Sequence, residues 1–260
     1  MIEALRRDGR PWRIGHKGAA ALAPENTMAS LERAVAESVD VIEFDVLQLG
    51  DGTLVLAHSD DLHELTGGAV SGKVGLRGID ELRELAPEVA TLDDALAYLA
   101  ATDVGLHVDL KWHGYERAVV EALQRHGVAE RSLASSFFVS SLLEIGRADA
   151  RIRRGLTYPL DRYGLSQRRV LAPAVLSALL AMRAALPRRI GRMLDRAGAT
   201  VATLHYLVAT RAAIARCHAH GAAVWAWTVD DPRAVRRLAD AGVDGVISND
   251  PRMLAATLRQ

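Results

Sequence analysis

Short apolar runs rich in β-branched residues alternate along the chain with stretches in which apolar residues recur at helical spacing. The apolar runs predict eight strands, at 12–16, 41–46, 105–110, 132–137, 152–157, 200–204, 223–228 and 244–248. Helical stretches separate the strands, so the pattern predicts an α/β fold, a (β/α)8 TIM barrel. A doubly wound open sheet is the alternative, but no glycine-rich dinucleotide-binding fingerprint follows any of these strands.

Capping residues mark several helix starts. Threonine and aspartate side chains accept hydrogen bonds from the first free amides of a helix, and proline fits the first helical position. Helix N-caps are predicted at Thr27, Thr91 (with Asp94 as a capping box), Thr210, Asp231 and Asp250.

The second βα unit contains extra chain. A further strand at 54–58 is expected to pair with the second strand as a hairpin across Gly50-Asp51-Gly52. Residues 59–90 are longer than a βα loop needs to be. They predict a small insertion after the second strand, which could cover part of the barrel mouth.

The composition is that of an ordinary globular protein, with 50% hydrophobic and 25% charged residues in 260 positions. This length suits a single domain over residues 1–260. The formal net charge is zero, so no overall field attracts nucleic acid. Cys217 is the lone cysteine, which excludes an internal disulfide, and the N-terminus lacks the apolar core of a signal peptide. We therefore expect a cytoplasmic protein, a monomer or a homodimer, that does not bind nucleic acid.

Two carboxylates interrupt the second predicted strand, since Glu43 and Asp45 lie within the apolar run 41–46. Side chains two residues apart on a strand share a face, so the two carboxylates point the same way. On a buried face they repel each other unless a positive charge lies between them. A hard divalent cation, Mg²⁺ or Ca²⁺, takes such oxygen ligands. The alternative is an edge strand whose Glu43 and Asp45 face solvent.

Other polar side chains follow predicted strands at their carboxyl ends, where TIM-barrel enzymes build their active sites. These residues are His16, Asp109, Lys111, Asp230, Asn249 and Asp250, with His58 at the end of the hairpin. Trp227 also ends a strand, where an aromatic ring can form the wall of a substrate pocket. His107 shares a strand face with Asp109 and is interpreted as a packed barrel residue.

Motifs in this order resemble those of the glycerophosphodiester phosphodiesterase family. They are His16-Lys17-Gly18, Pro24-Glu25-Asn26-Thr27, Glu43-Phe44-Asp45-Val46, Asp51-Gly52, His58-Ser59, Asp109-Leu110-Lys111, Trp227-Thr228-Val229 and the segment GVDGVISNDP. The resemblance covers residues 13 to 253 and weakens between 140 and 200. It implies one (β/α)8 TIM-barrel domain that hydrolyses glycerophosphodiesters to an alcohol and glycerol 3-phosphate with the help of a divalent cation.

The resemblance also implies site residues. By position, the metal ligands are Glu43, Asp45 and Asp109, the acid–base pair is His16 and His58, the phosphate contacts are Lys17 and Lys111, and the supporting residues are Glu25 and Asn26. Imidazole suits acid–base work because it titrates near neutral pH. The nucleophile is the neighbouring glycerol hydroxyl, which gives a cyclic phosphate, or a metal-bound water.

Three departures from the family pattern bear on rate or substrate. Lys17 replaces the usual arginine, exchanging a bidentate fork for a point charge. Ser59 replaces the aspartate after the second histidine and removes a possible orienting carboxylate, for which Asp60 substitutes only if the loop shifts. Asp109 replaces the commoner glutamate, and its shorter reach draws the metal toward the third strand. The histidines and the strand-2 carboxylates are intact, so we expect an active enzyme.

The stretch 147–196 is unusually rich in arginine and contains an apolar helix at about 170–186. Solvated outer helices explain this stretch, whereas the alternative is a weak contact with an anionic membrane surface. In that case the small-molecule substrate could be a lysophospholipid, cleaved by a lysophospholipase D-type phosphodiesterase. A further alternative is a phosphate-ligand binding protein whose turnover the Lys17 and Ser59 departures have weakened.

Overall fold

The computed structural model describes residues 9–160 and 172–258, with side chains from residue 176 onward in the second range. Nine strands form one sheet: β1 (Trp12–Gly15), β2 (Val41–Gln48), β3 (Leu54–Leu56), β4 (Gly105–Leu110), β5 (Ser132–Ser136), β6 (Arg153–Tyr158), β7 (Val201–His205), β8 (Ala223–Trp227) and β9 (Gly245–Ser248). The α-helices of the described residues are α1 (Met28–Ala36), α2 (Leu62–Leu65), α3 (Ile79–Leu85), α4 (Leu92–Ala100), α5 (Glu116–Arg125), α6 (Val139–Ala148), α7 (Ala172–Ala197), α8 (Arg211–Ala219), α9 (Pro232–Ala241) and α10 (Pro251–Thr257).

The sheet closes into a barrel. Every strand except β3 is parallel to its neighbours, in the order β1-β9-β8-β7-β6-β5-β4-β2, and β1 also pairs with β2 to complete the ring. The predicted (β/α)8 TIM barrel is therefore confirmed, because a doubly wound sheet would remain open between its outer strands. β3 pairs antiparallel with β2, as the predicted hairpin requires.

Both faces of the sheet are covered, which explains why the strands are apolar almost throughout. One apolar cluster inside the barrel comprises Ile14, Val41, Leu133, Val201, Ala223, Trp225 and Ile247. Phe44 and Val46 point outward, into the apolar layer between the sheet and the helices. Because side chains alternate along β2, Glu43 and Asp45 point inward, toward the barrel axis.

The predicted N-caps are confirmed at the starts of α1, α4, α8, α9 and α10. The capping side chains are Thr27, Thr91 (in a capping box with Asp94), Thr210, Asp231 and Asp250. Each cap accepts a backbone N–H of the first helical turn. In a TIM barrel these helix starts follow the carboxyl ends of strands, so the caps fix loops that surround the barrel mouth.

The insertion after β2 and β3 has a small core of its own. It contains α2, a 3₁₀ turn at Val74–Leu76 and α3. Its buried apolar side chains include Val55, Leu62, Val74, Leu82 and Val89. This packing anchors α2 close to the end of β3, and His58 follows β3 by two residues.

α7 is longer than the apolar pattern predicted. It continues through Pro187 to Ala197, although proline removes one helical hydrogen bond. Leu186, Ile190 and Leu194 are buried at helical spacing beyond the proline, and their packing favours continuation of the helix. Residues 161–171, which include three arginines of the stretch 147–196, lie outside the described residues. No helix in the described ranges is long and apolar enough to cross a membrane.

Candidate active site

Three carboxylates meet at the carboxyl ends of β2 and β4. Asp45 lies opposite Asp109 in the parallel pairing of these strands, and Glu43 lies two residues earlier on the same face. Each residue is at most 5% exposed. One carboxylate oxygen of each lies within 4.8 Å of the others. Such a buried group of negative charges requires positive charge nearby.

Lys111 supplies one such positive charge. Its Nζ lies 2.7 Å from Asp45 Oδ1 and 2.7 Å from Asp109 Oδ2. Burial lowers the pKa of Lys111, but the charges of Asp109, Asp45 and Glu43 outweigh burial and hold the pKa above its ordinary value. The ammonium group therefore stays protonated and balances one of three potential negative charges.

The pKa values of two of the carboxylates are shifted in opposite directions in this crowded, buried site. Burial first, and then the charge of Asp45, raises the pKa of Glu43 well above its ordinary value. Burial also raises the pKa of Asp45, but the charges of Lys111, His58 and Lys17 outweigh burial and lower it overall. Asp45 is therefore charged at neutral pH, and a cation bound beside Glu43 would oppose the rise in the pKa of Glu43.

The donor set fits a hard divalent cation. Within the described residues, Asp45 Oδ1 is buried and accepts no hydrogen bond of standard geometry, although Lys111 Nζ is close to it. This oxygen therefore keeps acceptor capacity for a further ligand. The three side chains offer only oxygen ligands, which Mg²⁺ and Ca²⁺ prefer. Their burial, charge and spacing therefore suit such a cation.

The loop after β1 supports the cluster from one side. Lys17 adopts a left-handed backbone conformation, with φ of 50°, and its N–H donates to Glu43 Oε2 at 2.8 Å. This conformation is uncommon for residues other than glycine and is frequent at functional sites. The next residue, Gly18, has no room for a side chain, because a Cβ there would collide with the backbone of Ser30. Lys17 Nζ reaches outward and donates to Glu25 Oε1 at 2.7 Å.

Asn26 fixes the orientation of the Asp45 carboxylate. Its Nδ2 donates to Asp45 Oδ2 at 2.9 Å, and its Oδ1 accepts the backbone N–H of Asp45 at 3.1 Å. Asn26 is 5% exposed and also has a left-handed φ, of 58°. Because Oδ2 is occupied by this amide, Oδ1 is the oxygen of Asp45 that remains for Lys111 or a cation.

His16 follows β1 and is held by the end of β9. Its Nδ1 lies 2.7 Å from Oδ1 of Asn249, and Asn249 Nδ2 donates to Asp230 Oδ2 at 2.6 Å. An amide oxygen only accepts, so His16 Nδ1 carries the proton and Nε2 presents a lone pair. Nε2 lies 3.9 Å from Glu43 Oε2. Burial lowers the pKa of His16, which keeps the ring neutral at pH 7.

His58 lies on the rim of the barrel mouth rather than in its floor. Its Nδ1 is 3.0 Å from Glu64 Oε1, and its side chain is 34% exposed. Atoms of Glu25, His58 and Glu64 lie within 4.8 Å of one another. Asp60, which the sequence offered as a substitute carboxylate, instead accepts the N–H of Gly75 at 2.7 Å. The sequence interpretation missed Glu64.

A buried polar network supports Asp109 from neighbouring strands. The Ser135 hydroxyl donates to Asp109 Oδ1, and the Thr157 hydroxyl lies 3.4 Å from the same oxygen. Thr203 donates to Thr157 at 2.7 Å, and His107 Nε2 lies 2.7 Å from Ser135 Oγ. Burial lowers the pKa of His107 to about 4, so its ring is neutral. The sequence interpretation missed Ser135, Thr157 and Thr203, although polar residues on consecutive strands are a signal that could have indicated this network.

Trp227 ends β8 and is half-buried at the barrel mouth. Its indole N–H donates to the Thr203 carbonyl at 3.0 Å, and its ring meets His205 edge-on at 5.2 Å. Trp225 is only 3% exposed and belongs to the barrel core, whereas Trp112 is 52% exposed. Trp227 is thus the tryptophan fixed at the inner edge of the mouth.

Comparisons with known proteins agree with this architecture. A sequence profile described as "Glycerophosphoryl diester phosphodiesterase family" matches residues 16–253. The glycerophosphodiester phosphodiesterase of Caldanaerobacter subterraneus subsp. tengcongensis is 26% identical over 265 residues, covering 95% of this chain and 97% of that protein.

Solved structures show the same fold. The putative glycerophosphoryl diester phosphodiesterase of Silicibacter pomeroyi superposes with a TM-score of 0.79 at 24% identity, covering 99% of this chain and 96% of that one. The Oleispira antarctica phosphodiesterase, in complex with the product sn-glycerol-3-phosphate, superposes with a TM-score of 0.75 at 24% identity. That alignment covers 95% of this chain and 96% of the other.

Proposed function

Because this chain belongs to the glycerophosphoryl diester phosphodiesterase family, we propose that it hydrolyses a glycerophosphodiester to glycerol 3-phosphate and an alcohol. It is a phosphoric diester hydrolase with one domain over residues 1–260. The observation that carries the proposal is the group of three buried carboxylates beside His16 at the barrel mouth. The glycerol 3-phosphate bound to the Oleispira antarctica protein supports the same product here.

Glu43, Asp45 and Asp109 would hold the divalent cation, Mg²⁺ or Ca²⁺. When bound, the cation supplies a Lewis acid that stabilises negative charge on the phosphoryl oxygens. Lys111 and Lys17 add positive charge for the anionic substrate, which lowers the barrier because charge develops on those oxygens in the transition state. The depressed pKa of Asp45 and the buried position of all three carboxylates support this assignment.

His16 and His58 are the acid–base pair of the proposed mechanism. His16 Nε2 has a free lone pair and takes the proton of the attacking hydroxyl, whose oxygen bonds to phosphorus. The bond from phosphorus to the leaving alcohol breaks, and doubly protonated His58 donates the Nε2 proton to that oxygen. The attacking hydroxyl belongs either to water, which gives glycerol 3-phosphate directly, or to the neighbouring glycerol carbon, which gives a cyclic phosphate. In the second case water then adds to phosphorus, and the bond from phosphorus to that glycerol oxygen breaks, which gives glycerol 3-phosphate.

The remaining site residues position the loop and the substrate. Asn26 orients Asp45, and Glu25 holds the ammonium group of Lys17. Trp227 forms an aromatic wall for the glycerol or for an acyl group. The hydrogen bond from its indole to the carbonyl of Thr203 supports this role because it fixes the ring.

An assay with glycerophosphocholine tests the proposed function. We expect release of glycerol 3-phosphate with Mg²⁺ or Ca²⁺ and loss of turnover in EDTA. His16→Gln and His58→Gln should each lower kcat about 10²- to 10⁴-fold, the usual contribution of a general acid or base. His63→Gln, an exposed histidine of the insertion, is the matched control. Release of phosphocholine instead of glycerol 3-phosphate, or full activity of His16→Gln, would contradict the proposal.

A lysophospholipid is the second candidate substrate. An apolar cavity of about 350 Å³ borders Thr157 and is lined by residues such as Phe137, Leu156, Met182 and Met193. Because Thr157 also contacts Asp109, this cavity supports an acyl-binding region beside the carboxylates. Lysophosphatidylcholine in the same assay separates the two substrates, and absence of turnover on either favours a phosphate-ligand binding protein.

Weak contact with an anionic membrane surface stays a proposal for the arginine-rich stretch. Leu176 and Leu180 lie one turn apart on α7 and are 52% and 56% exposed, which supports an apolar surface there. Binding to anionic vesicles at low salt, with release at high salt, is the expected result. A cytoplasmic location and a monomeric or homodimeric state stay predictions.

A further inference from the structure

Glu64 lies on the rim, outside the sequence motifs, but it contacts two motif residues. Glu64 lies in the short helix α2, six residues after His58 and five after Ser59. Glu64 Oε1 is 3.0 Å from His58 Nδ1, and Ser59 Oγ donates to Glu64 Oε2 at 2.6 Å. Each carboxylate oxygen therefore has one partner from the loop that carries His58.

The chemistry of these groups fixes the direction of both hydrogen bonds. A carboxylate only accepts, so His58 Nδ1 carries a proton and Nε2 is left for the substrate. Burial raises the pKa of Glu64, but hydrogen bonds from Ser59 and His58, with the charges of His58 and Lys17, lower it overall. Glu64 is consequently ionised at neutral pH and can act as the acceptor.

The other carboxylates near His58 have different partners. Asp60 accepts the N–H of Gly75 and lies 3.5 Å from Lys73, while Asp61 caps α2. Glu25 lies beside His58, but Lys17 Nζ binds it at 2.7 Å. Asp45 lies in the floor of the site, where its partners are Asn26 and Lys111.

The helix that carries Glu64 is anchored. Leu62 is fully buried in the core of the insertion, and the Asp61 side chain accepts the N–H of His63 at 2.9 Å. Thr66 Oγ1 closes the other end by donating to the Leu62 carbonyl at 2.7 Å. The Glu64 carboxylate is thus held next to His58 by an anchored helix, α2.

We propose that Glu64 is a positioning residue for His58 and that Ser59 holds Glu64 in place. The orienting carboxylate absent from position 59 is then supplied from α2, five residues further along the chain. This inference rests on the proposed function, in which His58 transfers a proton through Nε2. It explains how the chain accommodates Ser59 without losing an oriented histidine.

The test compares Glu64→Ala, Glu64→Gln and the double variant Ser59→Asp/Glu64→Ala. Glu64→Ala should lower kcat about tenfold with KM nearly unchanged, less than the 10²- to 10⁴-fold contribution of a whole acid or base because the pair is partly exposed. Glu64→Gln keeps an acceptor oxygen and should lose less. Ser59→Asp restores a carboxylate beside His58 and should recover part of the kcat lost in Glu64→Ala. Glu88→Gln, an exposed glutamate of the same insertion, is the matched control.

Nitrogen-15 chemical shifts of the histidine rings give a readout that a merely structural role would not move. In the wild-type protein the neutral ring of His58 should carry its proton on Nδ1, and Glu64→Ala should shift that proton toward Nε2. An unchanged kcat in Glu64→Ala, or a lower kcat with an unchanged His58 tautomer, would overturn the proposal.

The ring measurement needs no substrate. A wild-type protein that turns over no glycerophosphodiester would therefore contradict the proposed function alone, while the tautomer shift would still report whether Glu64 orients His58.

Discussion

The floor and the rim of the barrel mouth hold their functional groups in different ways. The floor consists of Glu43, Asp45 and Asp109, which are at most 5% exposed and lie on the adjacent parallel strands β2 and β4. The rim consists of His58, Ser59 and Glu64, in a loop and a short helix, where the His58 and Glu64 side chains are 34% and 43% exposed. Strand pairing therefore fixes the floor, whereas local side-chain contacts fix the rim.

The floor and the rim each contain a departure from the family pattern, Asp109 and Ser59, and they accommodate it in different ways. On the rim, Ser59 is compatible with an oriented histidine because a single nearby side chain, Glu64, reaches the ring. In the floor, Asp109 has polar support from Ser135 on β5 and Thr157 on β6. A change in the floor therefore involves several strands, and a change on the rim involves the contacts between one loop and one short helix.

The largest effect on metal affinity and turnover is expected when one of the three floor carboxylates is replaced by its uncharged amide. Glu43→Gln, Asp45→Asn and Asp109→Asn should each lower metal affinity and turnover together by about 100-fold or more, because a bound metal stabilises transition-state charge by several kcal/mol. Calorimetric metal titration and the glycerophosphocholine assay measure the two losses. A variant with full metal-dependent turnover would remove that residue from the site.

Glu43→Gln has a second signature in EDTA. The raised pKa of Glu43 means that the folded metal-free protein binds a proton more readily than the unfolded chain, so its stability falls as pH rises through that pKa. Glu43→Gln removes this loss and should melt no lower than wild type at pH 7. Unfolding of Glu43→Gln in EDTA would instead make the carboxylate structural.

A second expected effect is a pH-dependent loss of stability that results from the burial of His107. Because the pKa of His107 is lowered to about 4, the unfolded chain takes up a proton on this ring before the folded protein does. Stability is therefore lost as pH falls from 7 to 5, by about 2 kcal/mol for this ring. His107→Gln keeps a donor for Ser135. In urea unfolding, the variant should lose about 2 kcal/mol less stability than wild type between pH 7 and pH 5. An equal loss in both proteins would contradict the shift, and His63→Gln is the exposed control.

The smallest effect on metal affinity is expected from variants that remove the hydroxyl groups supporting Asp109. Ser135→Ala should weaken metal binding about tenfold, at the lower end of the range for residues that orient metal ligands. Thr157→Val should weaken it less, because its hydroxyl is 3.4 Å from Asp109 Oδ1. Metal titration checks the order of the two variants. Equal affinity in wild type and Ser135→Ala would show that strand pairing alone orients Asp109.

The sequence alone was sufficient for the order of the strands and for placing the two strand-2 carboxylates on one face, whereas it did not predict the full length of α7. Strand and helix periods are local properties, and capping residues such as Thr27 and Thr210 act on the next turn. Alternation along β2 places Glu43 and Asp45 on one face whatever the rest of the chain does. Parallel closure then gathers strand ends at one mouth, which is why His16 and Asp109 could be placed there in advance.

Only the tertiary structure decided which polar groups pair. Asn249 meets His16 across 233 residues of chain, and Ser135 reaches Asp109 from the next strand. No local period encodes such a partner, because the distance depends on barrel closure and strand register. Glu64 was missed for the same reason, although it is near His58 in sequence. Its position depends on the insertion core around Leu62, and that packing brings its carboxylate to the ring.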